Sequence, residues 1–371
     1  MNAERLHAVA QRILDDFGEL NLVNLLGTAV STLSSSVTQP NAQNAEAFNQ
    51  ALADLRDKLR KCASNTFVPS YFRILEAIGG ADKTGTGLAS RVEALLEEER
   101  ITPATALTQI QELSEEVTKF HQQLKKLVEA FKALNVARDV TSGGEAELGV
   151  LLPRELVSND LEGLTRELRL IDRHLKVLAE VAGGEAGSFG IRSLGTDSLD
   201  VFLAASPVVA ACIMHAAERL AGLYKQILEI RILRRQLEEK RVPKNAIEPI
   251  RKHEEEIIRR QLGEISDEIM SRFYRGADAA RKNELGTALS HALKFLADRI
   301  DRGLDIEASA EIPTQQADEQ PTPVGGEPRE EDPRRAIAST GASMRRLARS
   351  TEPVLQLPDS DRREIEDENR G

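Results

Sequence analysis

The chain has 371 residues, with 60 acidic against 49 basic side chains and a formal charge of −11. Apolar residues at 41% and charged residues at 29% are ordinary usage for a folded chain; they exclude a wholly disordered or collagen-like polymer, and the length suits about two to three domains. Aromatics are only 4% with no Trp, so the core falls to Leu, Ile, Val and Ala, which favours helix packing over sheets, while the acidic balance restricts nucleic acid to local basic patches.

Residues 4 to about 37 read as two helices, one carrying Leu6, Val9, Ile13 and Phe17, the other Leu20, Val23, Val30, Leu33 and Val37, with Gly18 between them. A turn at Thr38 to Asn41 precedes a helix marked by Phe48, Leu52, Leu55, Leu59 and Cys62, and Pro69 opens a short successor. The Gly-rich loop from Gly79 to Gly87 leads to a helix over Leu88 to Glu99. Thr102 as cap and Pro103 at the first turn then start a long helix whose apolar residues Ile110, Leu113, Val117, Phe120, Leu124, Leu127, Phe131 and Leu134 alternate steps of three and four. This is a heptad seam. Thr141 to Gly144 is the expected end of an N-terminal helical unit, residues 1–140.

Short Gly-flanked runs at Glu147 to Pro153, Ser188 to Leu194 and Ser198 to Leu203 suit strands, the last two as a hairpin across Gly195 to Asp197. Between the first two lies a second seam, Leu161, Leu164, Leu168, Ile171, Leu175, Leu178 and Ala182, ending at Gly183. A helix from Pro207 to about Lys240 and another through Ile247, Ile257, Ile258, Leu262, Ile265 and Ile269 form a hairpin about Arg241-Val242-Pro243. A last helix with Leu285, Leu289, Leu293, Leu296 and Ile300 closes the second unit, residues 141–305. Residues 306–371 hold seven of the 14 prolines and no aromatic, which predicts a disordered tail. The fold class expected is therefore mainly α, helical bundles and coiled-coil hairpins with a small α+β element in the middle.

Local chemistry is sparse. The six histidines lack the i, i+4 pairing of a helical zinc site, and Cys62 and Cys212 sit in apolar helical contexts, so neither metal nor cofactor is expected. Lys83-Thr84 falls short of a phosphate-binding loop because Asp82 stands where a glycine must precede the lysine. Arg169 and His174 match R-x4-H, a pairing that resembles the catalytic signature of HEPN ribonucleases; the resemblance implies metal-free RNA cleavage in a helical dimer. Five residues along an ideal helix turn the two side chains roughly 140° apart. Acidic runs such as Glu97 to Glu99 and Glu254 to Glu256 suit solvated helix faces. Arg231, Arg234, Arg235, Lys240 and Arg241 open a basic ridge along the hairpin, with Glu229, Glu238 and Glu254 to Glu256 near enough in sequence to neutralise it. In the tail, Arg334 to Arg349 carries five arginines, no acids, and Ile337, Met344 and Leu347 at helical spacing, the pattern of a segment that folds on a partner.

A helix with an apolar seam over several turns must bury it, within the chain or between chains. The function expected is protein interaction or assembly without enzymatic chemistry, through a protein partner or self-association, with Leu124, Leu127, Leu168, Ile171, Arg234, Arg235, Arg345, Arg346 and Leu347 as candidate contact residues. The N-terminus lacks a secretory pattern, which suggests a cytoplasmic location. Two other classes are the ribonuclease using Arg169 and His174, and a membrane-active effector using a 199–223 helix or the small-residue helix from Leu20 to Val37. The first requires convergence of Arg169 and His174 across a dimer interface in an open cleft. The second requires exposure of an apolar stretch, and neither stretch reads as a membrane span.

Overall fold

A computed structural model describes residues 2–98, 103–139, 144–183, 189–195, 199–240, 242–310, 332–337 and 354–355. The protein is mainly α, and the chain divides into two compact units, Met1–Val140 and Thr141–Gly371.

The first unit contains α1 (Ala3–Glu19), α2 (Leu22–Thr38), α3 (Ala42–Arg60), a 3-10 turn at Ala63–Thr66, α4 (Pro69–Ala77), α5 (Gly85–Glu98) and α6 (Pro103–Ala133). The reversal between α1 and α2 falls at Asn21, whose φ of 53° is left-handed, rather than at Gly18; Asn tolerates that region nearly as Gly does. α1 and α2 both pack on α6. Val9, Ile13 and Phe17 of α1 meet Val117, Phe120 and Leu124 of α6 in one buried cluster, with the Phe17 and Phe120 rings edge-on at 6.5 Å. The start of α6 coincides with Pro103, while Thr102 lies outside the described residues.

The α6 seam departs from a strict heptad as it proceeds. Val117, Phe120 and Leu124 are buried, Leu127 is only half-buried, Val128 takes its place inside, and Leu134 ends 74% exposed. A straight helix of 3.6 residues per turn drifts about 20° per heptad from a 3.5-residue repeat, so the buried stripe walks off the seam.

The second unit is built on β1 (Ala146–Leu152), a 3-10 turn at Arg154–Val157, α7 (Leu161–Val181), β2 (Gly190–Leu194), β3 (Leu199–Ala205), α8 (Pro207–Glu239), α9 (Lys244–Phe273), α10 (Ala279–Asp301) and β4 (Asp305–Ala310). The strands form one antiparallel sheet in the order β2-β3-β1-β4. Gly195 N donates to Asp200 O at 2.7 Å across the β2–β3 turn, whose residues 196–198 lie outside those described. β1 is buried along its length, and a Cβ at Gly149 would fall 2.6 Å from Cγ of Glu307 and 2.9 Å from the Phe202 ring, so only glycine admits that crossing of side chains.

Two expectations are corrected here. The folded chain does not stop at Asp305: β4 begins there and pairs with β1 over Asp305–Ala310. Its isoleucine and alanines alternate with polar residues, a short edge-strand pattern overshadowed by the proline-rich sequence that follows. The stretch from Leu199 to Leu223 is not one helix but β3 followed by α8, with Ser206 capping α8 through its hydroxyl at 3.4 Å from Val209 N. The first half of α8 is buried nearly all round, from Val209 to Tyr224, as befits the central helix of the unit's core. α2 likewise turns Leu22, Leu26, Ala29 and Leu33 inward. Among the described residues no helix is long and apolar enough to cross a membrane.

Candidate functional site

Arg169 and His174 both lie on α7 and do not converge. Arg169 is exposed, whereas His174 is 3% exposed and stacks on Phe295 of α10 at 4.2 Å between ring centroids. The other face of the same environment holds Arg299, whose guanidinium lies 4.5 Å from the Phe295 centroid and donates to both carboxylate oxygens of Glu167 at 2.6 and 3.1 Å. Arg299 also pairs with Asp298. Burial alone depresses the Arg299 pKa, but the Glu167 and Asp298 carboxylates together more than offset it and hold the guanidinium charged. His174 is thus a packing residue beside an ion pair that joins α7 to α10. Sequence spacing did not reveal that pair because its members are 132 positions apart.

The Gly-rich loop is equally occupied by its own chain. Lys83 Nζ donates to Gly79 O at 2.7 Å and pairs with Asp82 at 3.1 Å, while Asn65 Oδ1 accepts from Thr86 N at 2.8 Å at the start of α5. The lysine therefore points back into the loop that carries it. Both thiols are buried: burial, with the Asp16 carboxylate nearby, pushes Cys62 up to about 11, and burial pushes Cys212 up to about 12, so neither is a thiolate at neutral pH. A His–carboxylate contact joins α8 to α9, His215 Nε2 to Glu268 Oε1 at 2.9 Å, and Arg219 holds the other oxygen at 3.0 Å. Burial lowers the His215 pKa, with Glu268 pulling it partly back. Among the described residues no group of three His, Cys, Asp or Glu is placed to hold a metal ion.

The four seam residues singled out as contact candidates are spent inside their units. Leu124 and Ile171 are buried, and Leu127 and Leu168 are half-buried against the same clusters. Arg345, Arg346 and Leu347 lie outside the described residues.

What stays open is the α8–α9 hairpin beyond the core. The buried residues of α8 end at Ile227. From there its inner side is closed by charge: Glu254 of α9, itself buried, accepts from Arg234 Nη1 at 2.8 and 3.0 Å, with Arg231 Nε 3.7 Å away. Burial raises the Glu254 pKa and the two arginines pull it back. Arg251–Glu255 and Arg260–Glu264 pair along α9, so four arginines of the basic ridge are paired in place, and Arg235 is exposed beside them. On the outer side, Ile232 is 48% and Leu233 60% exposed. Half-buried Leu237 follows one turn on from Leu233, while Ile230 packs inward against the core cluster. The basic composition of this segment hid these two side chains from a reading by charge.

The fold and these surfaces define a two-unit helical protein with a small antiparallel sheet and an apolar stripe on a helical hairpin. Comparison with known proteins finds no matching family model, no matching curated protein and no matching solved structure.

Proposed function

We propose that the chain is a non-enzymatic assembly protein that self-associates through the far end of the α8–α9 hairpin. The observation that supports this is the exposure of Ile232 and Leu233 on a helix whose opposite face is closed by the Glu254 ion pairs. Leu and Ile cost about 1.5–3 kcal/mol each when left in water instead of buried. A two-fold contact covers the same residues on both copies, so each counts twice. Glu254 with Arg231 and Arg234 keeps the hairpin closed, which presents the outer stripe as a rigid face instead of letting it collapse inward. A cytoplasmic location accords with two free, buried thiols.

Light scattering on the full chain across a tenfold dilution tests the reading. The expected result is a mass above the 40.8 kDa of one chain at the high end, and a single-chain mass for the Ile232→Asp, Leu233→Asp double variant. A wild-type chain that is monomeric throughout, or a double variant that assembles as well as wild type, overturns it.

A further inference from the structure

At the end of α10 the carboxylate of Asp301 accepts two consecutive backbone N–H groups, Val354 at 2.5 Å on Oδ1 and Leu355 at 2.8 Å on Oδ2. The side chains of Val354 and Leu355 are as buried as the centre of the core cluster they join, at 1% and 2% exposure. Ile337, after a helical turn begun by Asp332 accepting from Arg334 N at 3.0 Å, enters the same cluster. The C-terminal sequence, expected to be a disordered tail, thus touches the second unit at two separate points.

We propose that the end of α10 is a peptide-binding socket that reads two adjacent apolar residues by their side chains and their paired backbone N–H groups, and that Val354–Leu355 of the chain itself is its resident ligand. The chemistry is specific in two ways. A carboxylate with both oxygens used demands two free N–H groups in succession, which excludes proline at either position. The apolar lining and the anionic Asp301 together reject an acidic residue at either position. Arg231 of α8 lies near Asp301 and near Glu254, so the socket sits at the root of the hairpin arm. A partner segment of the same chemistry, two apolar residues with free N–H groups, competes with the resident one, and that competition is intramolecular against intermolecular. Tethering gives the resident segment an effective concentration on the order of millimolar.

The test uses the full chain and a fluorescent peptide spanning Ser350 to Asp359, read by anisotropy. A chain carrying Val354→Asp and Leu355→Asp has its socket vacated and binds the peptide; wild type binds it at least tenfold more weakly because its own segment competes. Asp301→Ala in the vacated chain abolishes binding, and so do the same two substitutions placed in the peptide. Hydrogen exchange on the unsubstituted chain covers the event that the variant fails to fold: the amides of 354 and 355 are protected. Peptide binding to neither chain, equal binding to both, or 354 and 355 amides that exchange at the rate of free peptide overturns the proposal. The oligomeric state of the chain plays no part in these readouts, so the socket and the hairpin contact stand or fall separately.

Discussion

Glu167 and Arg299 illustrate what a buried charge pair does for this fold. Each is nearly devoid of solvent, and the two pair directly between α7 and α10. Glu167→Gln removes the bidentate partner of a buried guanidinium and leaves it Asp298 alone, so it should lower the stability of the second unit by about 2–3 kcal/mol in urea unfolding. Arg169→Ala, two positions along the same helix but exposed, should change it by no more than about 0.5 kcal/mol. A large effect at Arg169 would show that its side chain makes a structural contact.

Asp301 gives a signed pH effect. Burial raises its pKa from 3.8 to about 6, against the two backbone N–H groups and Arg231 that lower it and with Asp298 that raises it further. A folded-state pKa above the unfolded one means the proton is held more tightly in the native chain. Its stabilising contribution is complete below the unfolded value and is lost as pH rises through about 6. The difference in unfolding free energy between wild type and Asp301→Asn should therefore shift in favour of wild type between pH 7 and pH 4.5. A difference that stays constant over that range would contradict this.

At the scale of elements, the helices were legible wherever the apolar period was long. Both seams and the break between α8 and α9 follow from spacing and turn chemistry, and α8 and α9 end and begin within a residue or two of where spacing puts them. What spacing misjudged was the continuation of each stripe. Val128 replaces Leu127 inside α6, and Leu161 at the start of α7 is left exposed, because straight helices drift off a heptad. Leu124→Ala should thus cost about 2–5 kcal/mol, Leu134→Ala less than about 0.5, and Leu127→Ala a value between them, measured by thermal or urea unfolding. Equal costs along the seam would mean a true coiled coil. β4 escaped notice because a six-residue edge strand leaves too short a signal beside the prolines that follow it. The Asp301 socket escaped because its partners are more than 50 positions apart. The only local trace was an apolar pair, Val354-Leu355, between Pro353 and Pro358.

Over the whole molecule, each of the two compact units has its own apolar cluster, one centred on α6 and the other on α8. Substitutions in the two clusters should act on separate unfolding transitions: Leu124→Ala lowers one midpoint and Leu220→Ala the other, as followed by calorimetry. One transition shifted by both would contradict independent cores. With the seams buried apart from their ends at Leu134 and Leu161, association between chains falls to what remains exposed, and among the described residues Ile232 and Leu233 are adjacent large apolar side chains in that condition. A single-cysteine crosslink reads this most directly, because Cys62 and Cys212 are buried and unreactive at neutral pH. The full chain carrying Leu233→Cys, treated with a short bismaleimide, should yield a covalent dimer, while a chain carrying Arg169→Cys on the exposed face of α7 should not. No dimer from position 233, or equal yields from both positions, would contradict assembly through the hairpin.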